Sequence, residues 1–266
     1  MKTRIISAIV MLLIFIPILV LGGSVFKAFT ILLAILGMYE LMNVRKNKKE
    51  IPIAIRIISY ILVGIFVYFC NDFYSTSYNL DYRIFIITFL SFLIPLVIIN
   101  DTKKYNINDA LYLSGGVLFL ATSFNALVVV RNISLANLLY VLVVTIMTDT
   151  FAYFTGYFVG KHKLCEKISP KKTIEGAIGG SIIATIIAVL FYIYVIDASV
   201  SLVILIPVTL LFTIIGQIGD LVFSSIKRYY DVKDFSNLIP GHGGILDRFD
   251  SILFVVITYI LFASIL

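Results

Sequence analysis

Ser224 to Asp250 reads SSIKRYYDVKDFSNLIPGHGGILDRFD and stands between two long apolar runs, Val200–Phe223 and Ser251–Leu266. Within it lie Lys227, Arg228, Asp231, Lys233, Asp234, Asp247, Arg248 and Asp250, together with His242 and the pair Gly243-Gly244. A chain that only had to turn back at a membrane surface could do so with a few residues. Acids, bases, a histidine and glycines in one segment point instead to chemistry on a phosphate at that surface.

The rest of the chain sets the frame. Its 266 residues are 61% hydrophobic and 14% charged, and its mean hydropathy is +1.06. A soluble domain is about 45–50% apolar and about 25% charged. The composition therefore predicts an integral membrane protein made of its helical bundle and short loops. Cys70 and Cys165 form no CxxC or Cys/His zinc spacing, and they read as inert packing residues on opposite sides of the membrane.

Apolar runs of about 17–25 residues read as transmembrane helices. Nine are expected, at Ile5–Leu21, Val25–Met42, Ile53–Cys70, Ile84–Ile99, Ala110–Val130, Leu135–Val159, Ile174–Ile196, Val200–Phe223 and Ser251–Leu266. The first follows Lys2 and Arg4 like a signal peptide, but it has no A-x-A-like cleavage site and is kept as a span. With the N-terminus inside, 18 of the 21 lysines and arginines fall on inside segments, leaving Lys27, Arg83 and Arg131 outside. That is the positive-inside pattern. It predicts an all-α polytopic bundle with a cytosolic N-terminus and an outer C-terminus. The same bias accounts for the net charge of +6 without a nucleic-acid partner.

Polar residues in or beside these runs are the functional candidates, because a carboxylate at a helix centre costs about 2.5–3.5 kcal/mol on insertion scales. Asp149 lies well inside the sixth run and Asp220 near the inner end of the eighth. Gly216, Asp220, Ser224 and Lys227 follow at i, i+4, i+8 and i+11, on one helix face. Glu40, one turn from Arg45–Lys49, reads as reaching the interface. Gly156 and Gly160, with Gly176 and Gly180 on the next helix, have the small-xxx-small spacing of close helix approach.

Two inside loops carry the remaining candidates. Ser169-Pro170-Lys171-Lys172-Thr173 precedes the seventh run, where Thr173 is placed to cap the helix. A helix N-terminus with two lysines is a natural anion site. In Pro240-Gly241-His242-Gly243-Gly244, the glycines would let backbone N–H groups approach an anion. Asp247 and Asp250 are candidates for a divalent ion, since Mg²⁺ takes one or two carboxylates plus phosphate oxygens and water. His242 suits a phosphate contact or proton transfer better than zinc, because the only other histidine is His162.

These residues resemble a known family. Ser224-x-Ile226-Lys227-Arg228-x4-Lys233-Asp234-x-Ser236-x2-Ile239-Pro240-x-His242-Gly243-Gly244-Ile245-x-Asp247-Arg248-Phe249-Asp250 looks like the signature of the phosphatidate cytidylyltransferases. Asp149-Thr150-x-Ala152-Tyr153-x2-Gly156 and Ser169-Pro170-Lys171-Lys172-Thr173-x-Glu175-Gly176 resemble that family too. The resemblance is strongest over about Asp149–Asp250. It implies transfer of a cytidylyl group from CTP to phosphatidate, releasing pyrophosphate, by a Mg²⁺-dependent homodimer in the plasma membrane whose site faces the cytosol. The compact single-bundle form looks bacterial. It implies Asp220 and Asp247 as metal-binding acids, joined by Asp149, and Lys171, Lys172, Lys227, Arg228, Lys233 and Arg248 as phosphate contacts. Ser169, Ser224, Gly243 and Gly244 complete the substrate-binding set, and His242 supports catalysis. Whether a second cation binds stays open at this point.

The expected division is 1–133 for scaffold, lipid access or dimer contact and 134–266 for the catalytic region. Other classes remain to be separated. A CTP-dependent lipid kinase would pass on the terminal phosphate instead. A transporter would line the membrane midplane with its polar groups, whereas here they gather at inner helix ends. A CDP-alcohol phosphotransferase lacks its DG-x2-AR run in this chain.

Overall fold

The computed structural model describes residues 2–47, 49–69 and 82–266. Cys70 and Lys48 lie outside the described residues, as do the side chains of Lys2 and Arg4. The chain divides into two compact units, Met1–Asn132 with Asp234–Asp247, and Ile133–Lys233 with Arg248–Leu266. The Gly-rich loop thus belongs to the first unit, although one cut through the sequence would have put it in the second.

The first unit contains α1 (Lys2–Leu21), α2 (Gly23–Asn43), a 3-10 turn at Val44–Asn47, α3 (Ile53–Phe69), α4 (Tyr82–Ile99) and most of α5 (Ile107–Ile133). Gly22, with φ of 63°, turns the chain between α1 and α2. A Cβ there would run into the Arg131 guanidinium. Arg131 itself donates to the carbonyls of Leu19 at 2.7 Å and Val20 at 2.9 Å. It thereby satisfies carbonyls that the end of α1 leaves open. On the basic side, Arg45 and Lys49 both pair with buried Asp109 at the start of α5. Asn106 and Asp109 cap that helix reciprocally, each side chain accepting the other's backbone N–H.

The second unit contains α6 (Leu135–Val159), β1 (Lys163–Cys165), β2 (Ser169–Thr173), α7 (Ile174–Val195), α8 (Leu202–Tyr229) and α9 (Leu246–Phe262) from Arg248 onward. Small residues bring α6 and α7 together. A Cβ on Gly180 would stand 2.7 Å from the Ala152 backbone nitrogen, and one on Gly176 2.7 Å from the Ala152 carbonyl oxygen. Thr155 Oγ1 donates to the Gly176 carbonyl across the same seam. Further from the loops, Tyr140 and Thr209 hydroxyls join at 2.7 Å beneath packed rings of Tyr192, Phe212 and Tyr259.

The outer face is apolar. On α7, Ile174, Ile178, Ile182, Ile186 and Leu190 are exposed at steps of four, while Gly176, Gly180, Ser181, Ala184 and Ala188 are buried. Small residues inside and branched aliphatics outside suit a helix whose solvent is lipid.

Among the described residues, nine α-helices follow the nine apolar runs. Five of them, α2 and α5–α8, are long and apolar enough to cross a membrane. Ile6–Leu21, Ile53–Phe69 and Arg83–Ile99 form shorter apolar helices, and α9 has 17 residues. The all-α expectation needs one correction: β1 and β2 form an antiparallel hairpin, with Lys163 opposite Thr173 and Cys165 opposite Ser169. Its charged side chains require water, and its lysine-rich sequence carries little strand propensity, so the pairing is invisible to composition. Two boundaries also move. No Gly or Pro interrupts Ser224–Tyr229, and α8 runs on past Phe223 to Tyr229. The helix start at Leu246 makes Asp247 and Asp250 helical instead of loop residues.

Candidate functional site

The second unit holds a cavity of about 610 Å³ where α6, α7 and α8 meet the hairpin. Asp149 and Tyr153 reach it from α6, Gln217 and Asp220 from α8, and Lys163, Lys171 and Lys172 from the hairpin. Each element has a local reason to stand there. Thr173 caps α7 as its sequence position predicts, its hydroxyl accepting from Gly176 N at 3.1 Å. Glu175 secures the other end of the hairpin. Its carboxylate takes the backbone N–H of Lys161 at 3.0 Å and lies 2.6 Å from His162 Nδ1. Lys163 Nζ crosses the hairpin to the Pro170 carbonyl at 2.7 Å.

The charges on this cavity are opposed and close. Lys172 pairs with Asp220, and Nζ is buried with no hydrogen-bond partner beyond that acid among the described residues. Ser224, one turn along α8, donates to Asp220 Oδ1 at 3.2 Å, which realises the face read from the sequence. Asp149 has Asp220 and Lys172 as electrostatic neighbours and a hydrogen bond from Ser251. Asp250 lies within the same field, near Asp220, Asp149 and Lys227. Three carboxylates crowd two lysines here, and the excess of negative charge is costly unless a cation compensates it.

Gln217 is held in one orientation. Nε2 donates to the Ala177 carbonyl at 3.2 Å and to Ser181 Oγ at 2.7 Å. Tyr153 and Tyr157 line the cavity with their rings stacked, centroids 6.4 Å apart.

The other expected residues are distributed as follows. Lys227 is buried near Asp250. Arg228 donates to the carbonyls of Ile168 and Val232, so it ties α8 to the hairpin and to its own following loop. Ser169 opens β2, and Lys233 and Arg248 are exposed in the second unit. His242, Gly243, Gly244 and Asp247 belong to the first unit. There, Asp247 Oδ2 accepts the backbone N–H groups of Phe235 at 2.8 Å and Gly244 at 2.9 Å. Gly243 adopts φ of 85° directly over that carboxylate. His242 Nδ1 is buried without a hydrogen-bond partner among the described residues.

Asp250, read from the sequence as a candidate for a divalent ion, stands with Asp149 and Asp220. One acid differs from its sequence reading. Glu40 does not reach the interface: it is fully buried and accepts from Ser236, Ile245 and Leu246. Only its cost as an acid inside an apolar run hinted at such a role.

Comparison with known proteins comes down on one family. The profile of the Cytidylyltransferase family matches residues 2–266. The phosphatidate cytidylyltransferase of Staphylococcus haemolyticus (strain JCSC1435) is 37% identical over 257 residues, 96% of each chain. Those of Staphylococcus saprophyticus (strain ATCC 15305) and Staphylococcus aureus (strain COL) are 34% and 35% identical over the same share of each chain.

Proposed function

The chain belongs to the cytidylyltransferase family, and we propose that it transfers the cytidylyl group of CTP to phosphatidate, giving CDP-diacylglycerol and pyrophosphate. The observation that carries this reading is the cavity of the second unit, which Lys171 and Lys172 line together with Asp149 and Asp220, Lys172 being paired with Asp220. The curated relatives, matched over 96% of this chain, are named for that activity.

In this reaction a phosphatidate phosphate oxygen forms the new bond to the α-phosphorus of CTP. The bond from that phosphorus to the β-phosphate oxygen breaks, and the electron pair leaves with pyrophosphate. The nucleophile arrives largely ionised, since a phosphate monoester has its second pKa near about 6. No side chain has to be activated, and the protein's work is positioning and charge neutralisation. Lys171 and Lys172 offset the repulsion between two polyanions and stabilise charge on the departing pyrophosphate. The Lys172–Asp220 pair keeps the ammonium at the cavity before substrate enters. Acyl chains remain in the bilayer while the headgroup reaches the inner ends of α6 and α8.

Mg²⁺ is the cation of this reading, with Asp149 and Asp220 as donors on the cavity wall. Among the described residues no three His, Cys, Asp or Glu side chains gather into a metal cage. That fits an ion that binds one or two carboxylates and completes its shell with phosphate oxygens and water. When bound it supplies Lewis-acid stabilisation of the phosphates. The part that the resemblance gives to Asp247 belongs to the same proposal, as do a homodimer and a multi-pass place in a bacterial plasma membrane. The inside bias of Lys and Arg supports a cavity that faces the cytosol.

The test uses purified protein in detergent with phosphatidate, Mg²⁺ and CTP labelled in the α- or γ-phosphate. Label from α-labelled CTP is expected in the lipid, with γ-label leaving as pyrophosphate. Label reaching lipid from the γ-position would make the enzyme a kinase, and absence of any transfer would sink the proposal.

A further inference from the structure

We propose that Glu40 is a positioning residue for this reaction: from α2 it holds the loop of residues 234–247 in the conformation that sets Asp247 and His242. The inference rests on the proposed transfer only for its kinetic consequence, because the contacts themselves lie wholly within the first unit.

The helix start at Leu246 explains the arrangement. The first N–H groups of a helix have no partner within it, and a Ser, Thr, Asp or Asn at the N-cap usually supplies one. Here the residue before Leu246 is Ile245, which has no acceptor in its side chain. The missing acceptor comes from another helix some two hundred residues earlier. Glu40 Oε1 accepts Ile245 N at 2.8 Å, and Oε2 accepts Leu246 N at 2.8 Å. Ser236 Oγ adds a third donor at 2.6 Å, so both ends of the loop converge on one carboxylate. Among the described residues Glu40 has no cationic partner within ion-pair distance. It is fully buried, and these three donors with the positive end of α9 are what compensate its charge.

The glycines are consistent with this role. A Cβ on Gly244 would overlap the Glu40 carboxylate. One on Gly243 would come within 2.9 Å of Asp247 Oδ2. The sequence suggests that this Gly pair opens backbone N–H groups to an anion. In the structure the Gly244 N–H already serves Asp247, and the two N–H groups that follow serve Glu40. Ile239 and Gly243 exchange backbone hydrogen bonds and close the turn that carries His242. Two internal carboxylates therefore set the loop shape, one of them the acid that the family resemblance gives to the metal.

An amide cannot replace Glu40. Each carboxylate oxygen meets a backbone N–H, so one end of a glutamine must present NH₂ to a donor. The experiment compares Glu40→Gln with the full-length wild type in detergent, by hydrogen exchange and by steady-state kinetics. Exchange in peptides covering 234–247 is expected to rise at least tenfold in Glu40→Gln, with α5 and α6 unchanged. The kcat is expected to fall tenfold or more while KM for CTP stays within about threefold. Gly244→Ala, which pushes a methyl group at the same carboxylate, should loosen the same peptides and stands in if Glu40→Gln does not fold. Unchanged exchange in the loop, or a loosened loop with kcat within twofold of wild type, would overturn the proposal. A wild type that transfers no cytidylyl group fails the functional reading instead, and the exchange data still report whether Glu40 holds the loop.

Discussion

Asp220 and Lys172 form one electrostatic unit, so their substitutions will not act independently. Asp220→Asn is expected to lower kcat by about 100-fold or more, the scale of losing one preorganised electrostatic contact in a dry site. Lys172→Met should cost a similar amount. The double variant should be little worse than either single one, because residues acting as a pair are non-additive. A double loss equal to the product of the single losses would separate their roles. Thermal unfolding in detergent should stay near wild type for Asp220→Asn, because Asp149 remains beside Lys172 to compensate its charge. Asp220 was legible in the sequence because helical periodicity puts it above Ser224 on one face. Asp250 was legible as an acid of the signature, but its place beside Asp149 and Asp220 comes from the packing of distant helices, which no short window of sequence carries.

At the scale of elements, the seam between α6 and α7 and the cap of α7 decide where the hairpin lysines stand. Thr173→Ala removes the cap and is expected to cost about 1 kcal/mol, read as a lowered unfolding temperature. Gly180→Leu drives a side chain into the Ala152 backbone. Backbone yields less than a side chain, so the cost should reach the upper part of the overpacking range, about 3 kcal/mol. A Gly180→Leu protein as stable as wild type would mean that the seam can open without loss. The small-residue spacing and the Thr173 cap were readable because both depend on local helical geometry. The β1–β2 hairpin was not, because a short, charged strand pair is held by cross-strand backbone bonds and by Glu175, and neither leaves a hydrophobic period.

At the scale of the molecule, orientation and the anchoring of the first unit are the testable properties. Asp109 compensates Arg45 and Lys49 while itself buried. Asp109→Ala would leave Arg45 without its counter-ion and is expected to cost about 3–5 kcal/mol, measured by unfolding in detergent. With Cys70 and Cys165 replaced, a cysteine at Lys104 should react with an impermeant thiol reagent only from the inside, and one at Ser199 only from the outside. The opposite pattern would reverse the orientation read from charge. The sequence by itself determined the membrane class, the apolar helices, the sidedness expected from lysine and arginine, and the acids and bases of the signature. These follow from composition, 3.6-residue periodicity and charge, which are properties of short windows of chain. Only the tertiary structure decided that Asp149, Asp220 and Asp250 share one field, that the Gly-rich loop folds with the first unit, and that Glu40 caps α9 from two hundred residues away. Those pairings come from packing between distant segments, where a buried carboxylate takes whichever donors the fold brings to it.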